Sequence, residues 1–132
     1  MTYVLDTNSC IAALRDHPAV LSRLLDTPPD LVAVSVMTAA ELWFGALKSD
    51  HPARSRATAD AFLAPFRRLP FDEPSAERYA ATRRHLESRG TPIGERDLII
   101  AATALAHELT VVTNNTREFG RVPGLRVEDW SR

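Results

Sequence analysis

The chain has 132 residues, of which 45% are hydrophobic and 25% charged, and its formal net charge is −1. That length suits one domain over residues 1–132 with a real core, and the near-neutral balance argues against a broadly basic polyanion binder. No apolar run approaches the about 20 residues of a membrane-spanning helix, and the start, Met1–Asp6, lacks the basic segment and cleavage site of a secretory leader. The lone Cys10 has no partner for an internal disulfide, so a cytoplasmic protein with no membrane role is expected.

Tyr3–Leu5 reads as a short buried strand, followed by a helix over Thr7–Arg15 with Asp6 or Thr7 near its cap. His17-Pro18 breaks that helix, Ala19–Leu25 forms a second, and Thr27-Pro28-Pro29-Asp30 is a turn into a strand at Leu31–Val34. Thr38–Lys48 and Ala53–Arg68 read as helices, and Leu69-Pro70-Phe71 as a strand whose proline suits a sheet edge. An amphipathic helix runs over Ser75–Arg89, and Thr91-Pro92-Ile93-Gly94 is a loop. The helix at Asp97–Leu109 is apolar nearly all round, which predicts a buried position. Thr110–Thr113 and Leu125–Val127 complete the strands. Strands alternating with helices predict a layered α/β fold with a mainly parallel sheet of about five short strands.

Asp6 follows the first strand, Glu41 comes shortly after the second, and Asp97 opens the most apolar helix. In parallel sheets ligands bind beyond the carboxyl ends of the strands, so this layout allows the three acids to meet at one edge. Carboxylates about 4 Å apart repel by roughly 1 kcal/mol even in water. Such a cluster makes sense around a hard divalent cation such as Mg²⁺, which takes oxygen ligands and supports phosphate chemistry. Each acid also has an ordinary explanation. Asp6 and Asp97 suit helix caps, and Thr38-x-x-Glu41 matches a capping box. The segment Thr113-Asn114-Asn115-Thr116-Arg117-Glu118-Phe119 supplies hydroxyl and amide groups that could hold the acids, or it is a plain strand-to-helix turn.

These motifs occur in one order: Met1–Asn8, Ala40-Glu41-Leu42 with Gly45, Asp97–Ala102, Val112–Phe119 and Leu125–Trp130. In that order and spacing the chain resembles PIN-domain ribonucleases, and within them the VapC toxins of bacterial VapBC toxin–antitoxin pairs. The resemblance covers almost the whole chain. It implies a three-layer α/β/α PIN-like domain and an endoribonuclease that hydrolyses phosphodiester bonds in structured RNA. Asp6, Glu41 and Asp97 match the family's catalytic acids, with Asp6 and Asp97 most directly on Mg²⁺ (or Mn²⁺ in its place) and Glu41 acting directly or through water. Thr7, Asn8 and Thr113 match the small polar supports. Asn115 and Glu118 stand where relatives carry a further acid. The resemblance also implies a VapB-type antitoxin, a homodimer within a larger toxin–antitoxin complex, and DNA contact only through the antitoxin. The 113–119 segment and the ending Glu128-Asp129-Trp130 are similar to toxins that cut the tRNA anticodon stem-loop, initiator tRNA included.

The runner-up is a catalytically idle PIN-like module that binds RNA or protein, against which the complete set of three acids argues. An aspartyl-phosphate phosphotransferase wants a second acid two residues beyond Asp6, where Asn8 stands. Of the basic residues, fifteen are arginine and one, Lys48, is lysine. Arg96, directly before Asp97, is the best placed of them for a phosphate contact.

Overall fold

The computed structural model describes every residue, Met1–Arg132. Five strands form one sheet in the order β3-β2-β1-β4-β5, with all four neighbouring pairs parallel. In chain order these are β1 (Tyr3–Leu5), β2 (Val32–Ser35), β3 (Arg67–Leu69), β4 (Thr110–Val112) and β5 (Val127–Glu128). Helices α1 (Thr7–Leu14) and α2 (Pro18–Asp26) link β1 to β2, and α3 (Val36–Lys48) and α4 (Pro52–Leu63) link β2 to β3. The chain then crosses back over the sheet through α5 (Glu73–Ser88) and α6 (Glu95–Ala106), and a short α7 (Thr116–Phe119) precedes β5.

The two faces of the sheet carry two cores. On one face Leu5, Val32, Val34 and Val112 pack with residues of α1 to α4. On the other, Val4, Ala33 and Val111 pack with α5, α6 and α7. Side chains alternate along a strand, so consecutive residues of β1 and β4 serve opposite cores and the strands read as unbroken apolar runs. Leu5 is level with both Val34 and Val112, which sets the ends of the three central strands in line.

Parallel crossovers are right-handed. Stepping from β1 to β2 to β3 therefore lays helices on one face, and stepping back to β4 and β5 lays them on the other. The reversal falls between β1 and β4, where the connections leave in opposite directions and open a crevice at the carboxyl ends of the strands.

Several boundaries differ from the sequence-based expectation. The helix expected to reach Arg68 stops at Leu63, because Pro65 has no amide to continue the ladder. The edge strand therefore lies at Arg67–Leu69, before Pro70 rather than around it. Helices α3, α5 and α6 each begin two residues earlier than expected, at Val36, Glu73 and Glu95. Ser35 and Asp72 are the true caps of α3 and α5, accepting from the amides of Thr38 and Ser75. The last strand is Val127–Glu128, a residue or two later than expected.

Trp130 is 1% exposed and closes the first core. Its ring meets Tyr3 edge-on at 5.1 Å, and the Arg23 guanidinium lies 5.2 Å over it. Trp130→Ala should destabilise the protein by about 3–5 kcal/mol in equilibrium urea denaturation. A loss below about 1 kcal/mol would mean that the C-terminal segment is not part of the core.

Candidate active site at the carboxyl edge of the sheet

Asp6 is the first residue beyond β1 and the N-cap of α1. Its amide donates to the Val112 carbonyl of β4 at 3.0 Å, so the sheet ladder runs one step past the strand. Its Oδ1 accepts from the Ser9 amide at 2.8 Å, and the Ser9 hydroxyl donates to the same Val112 carbonyl at 2.9 Å. Strand and helix together hold this carboxylate, which is only 2% exposed. The capping role and a place at the crevice coexist.

Glu41 is the sixth residue of α3, not its third, so the Thr38-x-x-Glu41 capping box does not form. Its Oε1 accepts from the Thr7 hydroxyl at 2.7 Å, and its Oε2 lies 3.3 Å from Arg96 Nη1. The Thr7 and Thr38 hydroxyls are 3.3 Å apart, as are those of Ser35 and Thr38. Each hydroxyl has one proton, so the relay runs one way: Ser35 to Thr38, Thr38 to Thr7, Thr7 to Glu41. Ser35 and Thr38 are buried supports that the sequence reading missed. The signal available was a serine directly after an apolar strand, the position of a helix cap.

Asp97 lies in the first turn of α6, whose N-cap is Gly94, so it does not cap the helix as expected. The Asn115 side-chain amide sits between two acids, 3.4 Å from Asp97 Oδ2 and 2.6 Å from Glu118 Oε2. An amide there gives both carboxylates a donor, whereas an aspartate would add a third charge. The Asn115 backbone amide in turn donates to the Thr113 hydroxyl at 2.9 Å.

Asp6, Thr7, Asn8, Glu41 and Asp97 line one open cleft of about 510 Å³, together with Ile11 and the Gly94–Arg96 segment. The Thr113 hydroxyl lowers the Asp6 carboxyl from within hydrogen-bonding reach. Asn115 and Glu118 reach the cleft only through Asp97. Asn8 is exposed at its rim and makes no hydrogen bond to the acids.

The acids carry an electrostatic cost. Burial raises the Asp6 carboxyl above its ordinary value; hydrogen bonds from Thr113 and Ser9 oppose this, and the Glu41 charge adds to it. Asp97 is pushed up to about 6, first by burial and then by the charges of Asp6, Glu118 and Glu41, against the Asn115 hydrogen bond. These acids are under-neutralised, and their hard oxygens suit a divalent cation. No group of three or more acid, histidine or cysteine side chains is disposed to hold a metal ion by itself, so a cation here would take one or two of these carboxylates and fill its remaining positions with water.

A parallel sheet with carboxylates gathered where its strand order reverses is an open α/β domain with its site at the topological switch point. The PIN domain family model matches residues 3–125. Over 130 residues the chain is 37% identical to a tRNA(fMet)-specific endonuclease VapC of Salmonella typhimurium, covering 98% of each chain. It is 36% identical over 134 residues to ribonuclease VapC2 of Rickettsia felis, covering all of both. Among solved structures it is similar to the DNA-bound VapBC of Salmonella typhimurium, with TM-score 0.93, 37% identity and 98% of each chain covered. The chain belongs to the PIN-domain family, among the VapC ribonucleases. No helix is long and apolar enough to cross a membrane.

A carboxyl whose folded value is raised binds more protons folded than unfolded between about pH 4 and 6. Stability from that group therefore falls as pH rises through this window. Without metal, Asp97→Asn should stabilise the protein at pH 7.5 by about 1 kcal/mol, discounted for partial exposure. The gain should vanish near pH 4. Urea denaturation in EDTA at both pH values checks this, and an equal effect at the two would contradict it.

Proposed function

We propose that this ribonuclease is a divalent-cation-dependent endonuclease of structured RNA and the toxin of a toxin–antitoxin pair. The observation that carries the reading is the cleft itself. Three acids from three separate elements line it, and two of them are raised above their ordinary values.

Asp6 and Asp97 would hold Mg²⁺, or Mn²⁺ in its place, with Glu41 direct or through water; such an ion acidifies a bound water and offsets charge developing on the phosphate. The chain's own residues supply position and proton handling. Asp6 is fixed by the Ser9 amide and by Thr113. Asn115 holds Asp97 and Glu118 side by side against their repulsion. Glu41, steadied by the Thr7 hydroxyl, faces the cleft and can orient or deprotonate the attacking water. The water oxygen bonds to phosphorus as the bond to the leaving ribose oxygen breaks, and that oxygen takes up a proton.

Similarity to endonucleases named for tRNA(fMet) supports a tRNA substrate, with the anticodon stem-loop as the proposed target. Similarity to toxins solved as VapBC complexes, some on DNA, supports neutralisation by a VapB-type antitoxin. In this reading the protein pairs as a homodimer within that complex and meets promoter DNA through the antitoxin.

The purified protein should cleave structured RNA with Mg²⁺ or Mn²⁺ and not in excess EDTA. Asp97→Asn should lower the rate by at least about 100-fold while keeping the wild-type circular dichroism spectrum. Full activity in EDTA, or unchanged cleavage by the variant, would overturn the mechanism. An idle module would bind RNA in Mg²⁺ and leave it intact. Expression alone should arrest growth, and co-expression of the product of an adjacent reading frame should relieve it; harmless accumulation of soluble wild type would contradict the toxin role.

A further inference from the structure

A cleft lined by acids has to receive a polyanion. Arg96 is the one cationic side chain among its lining residues, against Asp6, Glu41, Glu95 and Asp97. It projects from the first turn of α6 across the cleft to α3. Its only hydrogen bond is a single contact from Nη1 to Glu41 Oε2, at 3.3 Å, and its side chain is 69% exposed. Long, solvent-exposed single contacts of this kind are weak. Glu41 does not depend on it, because its other oxygen is held by Thr7 at 2.7 Å. Arginine offers five donors in a planar fork suited to phosphate, and four of the five on Arg96 are unengaged. The first amides of α6 behind it also lack a side-chain cap.

We propose that Arg96 is the substrate-positioning residue of this site: it leaves Glu41 when RNA enters and takes a backbone phosphate of the RNA in its fork. This rests on the ribonuclease reading above.

The test uses the full chain and unfractionated bacterial tRNA as probe, comparing wild type, Arg96→Ala and Arg96→Lys. Binding is measured in EDTA, where no cleavage occurs, across a salt series, and cleavage is measured in Mg²⁺. Arg96→Ala should weaken binding about 5- to 20-fold and reduce the slope of log affinity against log salt by about 0.7–0.9, the loss of one phosphate contact. In Mg²⁺ the change should fall mainly in KM. Arg96→Lys should recover the salt slope but only part of the affinity, since it keeps the charge and loses the fork. Equal or tighter binding by Arg96→Ala with an unchanged slope, while wild type still cleaves, would overturn the proposal and leave the ribonuclease reading standing. Wild type that neither binds nor cleaves tRNA would remove both.

Discussion

Tyr3–Leu5 hydrogen-bonds to a parallel strand on each side and has a helical layer on each face. Three residues thereby anchor both cores: Val4 and Leu5 point to opposite faces, and each is at most 1% exposed. The next residue, Asp6, inherits that rigidity. It donates one more ladder hydrogen bond to β4 and then starts α1, so its carboxyl is fixed without a loop between strand and helix. The neighbouring strands are level with β1, and the reversal of chain direction between β1 and β4 leaves this end of the sheet open. A carboxyl can be buried there because the Ser9 amide and the Thr113 hydroxyl donate to it.

The charge that collects at this edge works against folding. Burial and mutual repulsion raise Asp6 and Asp97, and no cation inside the fold fully offsets them. The protein moderates the cost with neutral donors: the Ser35–Thr38–Thr7 relay onto Glu41, the Ser9 amide onto Asp6, and the Asn115 amide between Asp97 and Glu118. These groups orient the acids and leave their charge in place. A cation would relieve such a site, and in the proposed reading the exposed Arg96 beside Glu41 answers the opposite need, the approach of a negatively charged substrate.

Much of this was legible in the sequence, for identifiable reasons. Strands buried on both faces read as continuous apolar runs, so β1, β2 and β4 stood out, and the alternation with helices pointed to a parallel sheet. Helix starts were harder. Hydrophobic periodicity reports the buried face, while the first turns of α3, α5 and α6 include the exposed residues Val36, Glu73, Pro74, Glu95 and Arg96. The two-residue error hid Ser35 as a cap and made Glu41 and Asp97 look like capping residues. With the starts corrected, both are free to serve the cleft. Asn115 and Glu118, in places where an aspartate was expected, acquire a reason only in three dimensions, since the amide separates two carboxylates from different elements. The pairing of Arg96 with Glu41, 55 residues away, had no local signal at all.

The central proposal is that the acids at the reversal between β1 and β4 form a cation site. Calorimetric titration of Mn²⁺ into the protein at pH 7.5, alongside Asp6→Asn and Asp97→Asn, tests it most directly. Saturable binding to the wild type, lost or weakened at least about 10-fold in both variants, is the expected result. No saturable binding by folded wild type, or the same affinity in all three proteins, would contradict it.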